Sequence, residues 1–249
     1  MPDGHSDLIF NFSEPLIRFR GTEDNLIRLK SAFFTGTLTT PLFSQGSGQI
    51  DLLGINFRPG GLRALFGIPL HLMSNRSVDL DSVLNRATRD WTQRLAEMKS
   101  SKEKIHFLNQ ILMKRLAPID SSVKAAVRFV ENANKLPTIS AIEKEVGACG
   151  RNLERKFRDW VGVSPKLFSR IVRFQRALNL IETSQGLDLS TLAFEAGFYD
   201  QAHLNKDFRE FTGKPPLSFI KSHQIEELSD SYNTESFAQV KTSHIDNLL

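Results

Sequence analysis

The sequence predicts an α+β protein. Its first part is a small β-sheet or partial barrel with helices, and its second part is an all-α domain of two helix-turn-helix units joined by a long helix. Two observations predict this: short apolar runs punctuated by glycine and proline in residues 4–57, and a pattern in the second half that recurs about fifty residues later. The 249 residues, 40% hydrophobic and 24% charged, suffice for two modest domains.

Composition also limits the partners and the compartment. Lys and Arg number 32 against 28 Asp and Glu, a net charge of +4 that permits an anionic partner without requiring one. The single Cys149 excludes an internal disulfide and a multi-cysteine zinc site, which fits a reducing compartment. No apolar run reaches about 18 residues, and no basic segment precedes an apolar one at the amino terminus. We therefore expect a cytoplasmic protein with no membrane span.

The first half is predicted as strands followed by helices. Strands are expected over residues 7–12, 16–20, 32–37 and 50–57, as an antiparallel sheet or partial barrel. A turn at Pro59–Gly61 leads into a short helix that stops before Pro69. Apolar residues at helical spacing then predict a largely helical stretch over residues 79–116, closed by Pro118.

This half offers few residues for catalysis or metal binding. A metal-binding barrel needs at least three converging ligands, whereas His5 and His71 lie far apart and form no HxH pair. Asp3 and Asp7 beside His5 are interpreted as polar residues that flank the first strand. We expect no enzyme, no metal and no cofactor here, and predict a sensor or oligomerisation module whose ligand the sequence does not name.

The second half contains the repeat. Gly147 recurs 50 residues later as Gly197, and the residues after it recur at a displacement of 51, so one residue is inserted in the turn. The pairs at 51 are Leu153 and Leu204, Phe157 and Phe208, Gly162 and Gly213, Pro165 and Pro216, and Phe168 and Phe219. A helix, a turn with glycine and a second helix form the unit that places its second helix in the DNA major groove.

Helix boundaries follow from caps and periodicity. Helices are predicted over residues 121–132, 150–161, 166–182 and 200–212. Ser121 or Ser122 is expected to cap the first of them, and Thr138 and Asp188 are expected to cap the first helix of each repeat.

Positive charge is concentrated in the first repeat and the helix after it. From Cys149 to Arg176 eight basic residues stand against two acidic ones, so this segment alone carries +6. Such a concentration is the footprint of a phosphate-binding surface, and an ordinary solvated helical face is the alternative. The duplicated helix-turn-helix favours the phosphate-binding surface.

The residues of the second half resemble the carboxy-terminal DNA-binding domain of the AraC/XylS family of bacterial transcription regulators. The matching motifs are RNLERKF, GVSPK, RFQRAL and LAFEAGFYDQAHLNKDFREFTGKPP, within residues 138–221. Through PDGHSDLIFNF and INFRPGG the first half resembles a cupin-like effector domain found in a branch of that family. Because that sensor usually begins with further strands, we expect the chain either to be truncated at its start or to begin at a late start codon. The expected domains are residues 1–118 and 119–222, with a flexible tail at 223–249.

The resemblance implies a seven-helix domain whose two recognition helices enter successive major grooves about 34 Å apart. The residues expected to contact DNA are Arg151, Glu154, Arg155, Arg158, Arg170, Arg173, Gln201, His203, Asn205, Lys206 and Arg209. Arginine pairs bidentately with guanine, glutamate accepts from cytosine, glutamine and asparagine suit adenine, and lysine suits guanine or a phosphate.

Two departures from the family pattern suggest that the first unit dominates affinity. Cys149 and Gly150 replace the usual hydroxyl cap of the first recognition helix, and Asp207 and Glu210 acidify the second. We also expect Cys149 to be a buried or capping thiol rather than a redox switch. Trp160, Phe194 and Phe198 are predicted to be core aromatics.

The sequence therefore predicts a nucleoid-associated, sequence-specific regulator that binds double-stranded promoter or operator DNA. Its first domain is expected to bind an unidentified small-molecule effector or to form a homodimer, and RNA polymerase is a further candidate partner. Two alternatives stay open: a ligand-independent DNA-binding regulator, and a cupin-like enzyme with an accessory DNA-binding domain.

Overall fold

A computed structural model describes residues 1–19, 26–29, 31–45, 50–84, 87–133, 135–184 and 188–222. The predicted flexible tail at 223–249 and the predicted strand end at Arg20 lie outside these residues. Within them the protein is α+β, with strands confined to the first 79 residues and helical segments from Gly61 onward. The predicted fold class is confirmed.

The described strands form two antiparallel sheets. They are β1 (Ser6–Asn11), β2 (Leu16–Phe19), β3 (Ile27–Leu29), β4 (Ala32–Thr35), β5 (Phe43–Gln45), β6 (Leu52–Phe57) and β7 (Ser77–Asp79). One sheet has the order β6-β1-β4-β7 and the other has the order β3-β2-β5. The four predicted strands are present: β1 is shifted by one residue, and β4 and β6 are two residues shorter than predicted. Three further strands of three residues each were not predicted.

Alternation along β1 divides the residues of the larger sheet between two cores. Leu8 and Phe10 are fully buried in the main core of the first half, with Phe34 of β4 and several helical side chains. The opposite face carries Ile9 and Phe33, which pack in a small cluster with Leu16 of β2. The two sheets therefore share an apolar layer on the side of β1 away from the main core.

The helices after the strands are shorter than the sequence predicted. They are α1 (Gly61–Phe66), a 3₁₀ turn at Leu70–Leu72, α2 (Leu80–Val83), α3 (Ala87–Glu97) and α4 (Ser101–Met113). The expected helical stretch is interrupted because β7 occupies its start and a capping box begins α4 anew. In that box Ser100 Oγ accepts from the Glu103 amide while the Glu103 side chain accepts from the Ser100 amide.

Seven helical segments lie within the described part of residues 121–222. They are α5 (Ser121–Asn132), α6 (Ile139–Val146), α7 (Gly150–Trp160), α8 (Pro165–Thr183), α9 (Leu189–Glu195), α10 (Gln201–Thr212) and residues 216–222. Thr138 and Asp188 cap α6 and α9 as predicted. The cap of α5 is Asp120 rather than either serine, because its carboxylate accepts from the amides of both Ser122 and Val123.

The long helix α8 contributes to two separate cores. Phe168, near its start, packs with α5, α6 and α7. Ile171, Phe174 and Leu178 pack instead with α9 and α10. The two repeats are thus each built on one end of the same helix.

The first half of the chain contacts the end of α7 and the turn into α8. Thr37 Oγ1 donates to the carbonyl of Val161 at 2.6 Å, and Ser74 Oγ donates to the carbonyl of Gly162 at 2.5 Å. His71 Nδ1 lies 3.2 Å from a carboxylate oxygen of Asp159. These contacts join residues of the strand-bearing half directly to the first repeat.

Candidate nucleic-acid interface

The two repeats build their turns in the same way. Gly147 and Gly197 have left-handed φ angles of 62° and 84°, which side-chain-bearing residues rarely adopt. The amide one residue after each glycine then donates back to a helical carbonyl: Ala148 to Glu143 at 3.2 Å, and Phe198 to Ala193 at 2.8 Å. These bonds repeat at the displacement of 50, and the inserted residue falls after them.

The second helices also pack alike. Leu153 and Phe157 of α7 are fully buried, as are Leu204 and Phe208 of α10, which confirms their predicted core faces. The ring of Phe157 lies 5.9 Å from Phe168, and the ring of Phe208 lies 5.8 Å from Phe219. The repeat in the sequence is thus a repeat of packing, and each unit turns the same helical face outward.

The outward face of α7 is basic. Arg151, Arg155 and Arg158 are exposed, and Glu154 is half-buried. Arg155 donates to Asn152 Oδ1 at 3.0 Å, and Arg158 lies 3.4 Å from Glu154. The two charges of that exposed pair offset each other, which leaves Arg151 and Arg155 as the dominant cations of this face.

The start of α7 has no side-chain cap. Cys149 occupies the N-cap position, its thiol makes no capping hydrogen bond, and the residue is exposed. The usual hydroxyl cap is therefore missing, as predicted. The prediction that Cys149 is a buried or capping thiol is wrong, because the residue is exposed and makes no capping hydrogen bond. The first amides of α7 are left to solvent or to an external acceptor.

The outward face of α10 carries Gln201, Lys206 and Arg209, which are all exposed, and the half-buried Asn205. Its start is capped by Asp200, whose carboxylate accepts from the amide of His203 at 2.7 Å. His203 itself is half-buried, and its ring packs edge-on against Phe198 at 5.5 Å. Its Nε2 lies 2.8 Å from Arg173 Nη2, so this histidine faces the protein rather than solvent.

Arg170 and Arg173 were expected on the DNA-facing surface, but both point at α10. Arg170 lies 2.8 Å from one carboxylate oxygen of Asp207, and Arg173 lies 2.7 Å from the other. Arg170 also pairs with Glu210 at 2.5 Å. Asp207 is 1% exposed and Arg173 is 8% exposed, so this is a buried ion-pair network that fixes α10 on α8.

The same network changes the predicted role of the acidic residues. Asp207 and Glu210 do not add free negative charge to the outward face of α10, because each is paired with an arginine of α8. Burial, followed by repulsion from Arg173, lowers the pKa of His203. The structure therefore favours a neutral imidazole beside the Arg173 guanidinium.

Two further cations of the basic segment serve the first unit. Lys156 Nζ lies 2.9 Å from the carboxylate of Asp120, the cap of α5. Arg176 donates to the backbone carbonyls of Val130 and Glu131, at the end of α5, at 3.2 and 3.0 Å. Half of the eight basic residues counted in this segment, which are Lys156, Arg170, Arg173 and Arg176, thus hold helices together.

Helical spacing shows why Asp207 belongs to the interior. It lies three residues after Leu204 and four before Phe211, both fully buried, so it occupies the core stripe of α10. An acidic residue in that position predicts a buried cationic partner. The prediction that Asp207 acidifies the outer face of α10 is wrong, because its position on the core stripe turns it inward.

The aromatic residues divide between core and surface. Phe198 is buried as predicted, whereas Trp160 is half-buried with the guanidinium of Arg63 lying 5.0 Å from its ring centre. Phe194 is 81% exposed, which corrects its predicted place in the core. Tyr199, in the turn before α10, is 92% exposed.

No group of three or more histidine, cysteine or acidic side chains within the described ranges is placed to hold a metal ion. None of the helices found there has the length and apolar character to span a membrane.

Comparison with known proteins identifies the two halves differently. Residues 142–222 match a family model described as "Helix-turn-helix domain", and residues 1–79 match one described as a domain of unknown function. The arabinose operon regulatory protein of Salmonella typhimurium is 26% identical over 125 residues, which are 46% of this chain and 44% of that protein. The chain thus spans less than half the length of this curated relative.

Two solved structures align with parts of the chain. ToxT from Vibrio cholerae is 14% identical with a TM-score of 0.48, over 89% of this chain and 91% of that one. A probable AraC family transcriptional regulator from Rhodopseudomonas palustris is 25% identical with a TM-score of 0.38, over 41% and 97%. The predicted cupin-like character of the first half stays a prediction, since its matching family has no described function. The carboxy-terminal part of the chain is thus a helix-turn-helix domain, similar in sequence to that of the arabinose operon regulatory protein.

Proposed function

We propose that this protein is a transcription regulator that binds specific sequences of double-stranded DNA through both repeats. One observation carries the proposal: α7 and α10 occur in duplicated helix-turn-helix units, and each turns a polar, largely basic face outward. Helix-turn-helix units contact base edges with the first residues of the second helix. The name of the Salmonella relative, an operon regulatory protein, points the same way.

The contacts are assigned by exposure. Arg151, Arg155, Gln201 and Lys206 lie in the first half of their helices and are exposed, so we assign them to base edges or nearby phosphates. The uncapped first amides of α7 suit a phosphate oxygen. Glu154, Arg158, Asn205 and Arg209 stay candidates at the edges of the two faces. Arg170, Arg173 and His203 are assigned to positioning α10, because their polar atoms are engaged inside the protein.

The first half is proposed to modulate DNA binding, either through a small molecule or through dimerisation. We place its boundary near residue 118, with the DNA-binding domain at 119–222. The hydrogen bonds from Thr37 and Ser74 to the carbonyls of Val161 and Gly162 offer a route, since they hold the end of the first recognition helix. A change in the first half that shifts these hydroxyls would move α7 relative to α10.

Selection from random duplexes with the full chain tests the proposal. We expect an enriched site with two elements about 10 base pairs apart, and an affinity that falls steeply with salt as counterions are released. Arg155→Ala should weaken binding by about 1–3 kcal/mol and relax preference within one element. Lys206→Ala should act on the other element.

Lys99→Ala is the matched control, because Lys99 is equally exposed but lies in the loop between α3 and α4. Its removal should change neither affinity nor preference. A salt-independent affinity, no enriched sequence, or equal effects of the Lys99 and Arg155 changes would contradict the proposal.

A further inference from the structure

A polar cavity of about 210 Å³ lies between the two sheets of the first half. Its walls include Asp7 of β1, Arg18 of β2, Thr35 of β4 and Ser44 of β5, with Leu38 and Leu42 beside them. In the strand register Asp7 lies opposite Thr35, and Arg18 lies opposite Ser44. The polar side chains thus project from both sheets into one space, next to the apolar layer that contains Phe33.

Arg18 is a buried cation that makes no direct ion pair with any carboxylate in the described part of the chain. It is 9% exposed, and it donates to three hydroxyls: Ser44 Oγ at 3.2 Å, Thr35 Oγ1 at 2.6 Å and Ser77 Oγ at 2.7 Å. Its guanidinium carbon also lies 4.8 Å from the centre of the Phe33 ring. Within the described residues it forms no ion pair, although buried arginine side chains are ordinarily paired.

The three hydroxyls fix the position of the guanidinium and add their own O–H donors beside it. The bonds to Ser44, Thr35 and Ser77 use Nε and Nη1 of Arg18, which leaves the Nη2 edge for another acceptor. Each hydroxyl that accepts from a guanidinium keeps its own hydrogen to donate elsewhere. A carboxylate is the acceptor that such a planar donor edge and its neighbouring hydroxyls fit.

Asp7 places a negative charge on the same cavity. Its carboxylate accepts from Asn56 Nδ2 at 2.9 Å, a neutral donor, while the nearby Asp3 is paired with His5. Burial, together with repulsion from Asp3, raises the pKa of Asp7, and burial lowers the pKa of Arg18. Arg18 and Asp7 also attract each other across the cavity, and His5, which lines the same cavity, attracts Asp7. Asp7 and Arg18 are therefore opposite charges that face one space without a direct ion pair between them.

The geometry points to a binding site for a free α-amino acid, with the ligand carboxylate on Arg18, Thr35 and Ser44 and its ammonium group on Asp7. A ligand with only negative charge would face Asp7 and Asp3, and one with only positive charge would face Arg18. A zwitterion satisfies both sides. The volume lies below the range of drug-sized pockets, which fits a ligand of this size.

The inference deepens the proposed sensor role of the first half, on which it rests for its biological meaning. Calorimetric titration of the full chain with each proteinogenic α-amino acid at millimolar concentration tests it directly. Succinate and putrescine serve as probes that carry only one sign of charge. We expect at least one amino acid to bind with a stoichiometry of one, and neither single-sign probe to bind at the same concentration.

Two variants remove one side of the site each. Arg18→Lys keeps the positive charge but loses the planar guanidinium, and Asp7→Asn removes the negative charge. Each should raise the dissociation constant of the amino acid at least about tenfold. Arg28→Lys is the control: Arg28 lies opposite Ile17 in the strand register, on the face of the same sheet that points away from the cavity. Circular dichroism checks that each variant is folded, and Asp7→Asn keeps the test informative if Arg18→Lys does not fold.

The inference is overturned if no amino acid binds the folded chain, if succinate binds equally well, or if Asp7→Asn leaves the dissociation constant unchanged. DNA binding of the same preparation separates this from the proposed function. Sequence-specific DNA binding without amino-acid binding would contradict only the proposed amino-acid site. Amino-acid binding without DNA binding would contradict only the proposed role as a transcription regulator.

Discussion

Replacing Asp207 by asparagine is expected to loosen α10 from α8 while leaving the first repeat in place. Asp207 is 1% exposed, and its carboxylate is the shared partner of Arg170 and Arg173. Asparagine has almost the same shape but carries no charge. Arg173, 8% exposed, would then lose its charged partner and keep only neutral neighbours, which are the asparagine amide and the His203 ring.

The magnitude follows from the burial of both partners. Removing one member of a buried ion pair costs about 3–5 kcal/mol, because the remaining charge is left uncompensated. Glu210→Gln is the matched control: Glu210 pairs with the same Arg170, but its side chain is 41% exposed. Losing such a solvent-screened pair costs about 0–1 kcal/mol.

Urea unfolding, combined with amide hydrogen exchange resolved along α9 and α10, measures the effect where it occurs. The double variant Arg173→Met, Asp207→Asn removes both buried charges and should recover part of the lost stability. Equal unfolding midpoints for the wild type and Asp207→Asn would refute the network's role. So would a Glu210→Gln variant that is as unstable as Asp207→Asn.

Three further outcomes are expected. Phe208→Ala should cost about 3–5 kcal/mol, since the fully buried ring lies 5.0 Å from that of Phe174, whereas Phe194→Ala, at an 81% exposed position, should change little. The neutral His203 contributes fully to the stability of the fold above the ordinary histidine pKa of about 6.5. This contribution is lost as the pH falls through the lowered pKa of His203 in the folded protein, so between about pH 7 and 5 the unfolding midpoint of the wild type should fall relative to that of His203→Gln. Gly162→Ala should weaken the contact between the halves, because Gly162 has a φ of 89° and an added Cβ would lie 2.8 Å from Ser74 Oγ; normal melting of that variant would contradict this.

The duplicated units could be predicted from the sequence because their information is local. Spacing alone places Leu153 and Phe208 on buried stripes, and the φ angles of Gly147 and Gly197 match the glycine turns expected from their positions. The strands β3, β5 and β7 could not be predicted, because three residues are too few to show an alternation of apolar and polar side chains.

The destinations of the arginines could not be predicted in the same way. Asp207 follows Arg170 by 37 residues and Arg173 by 34, so only the fold shows that it meets them. Counting charge along the chain treats a cation that holds two helices together like one that faces solvent. The cavity beside Arg18 was missed for a related reason, since its walls come from four strands that only the sheet packing brings together.

The contact of Ser74 and Thr37 with the turn after α7 bears on how these halves could be recombined. Both hydroxyls donate to main-chain carbonyls, those of Gly162 and Val161, rather than to side chains. The turn is therefore recognised by its backbone path, which the left-handed glycine sets, and not by the residues it displays. A foreign DNA-binding half with glycine at this point would keep these two hydrogen bonds, whereas the contacts of His71 with Asp159 and of Arg63 with Trp160 depend on its side chains.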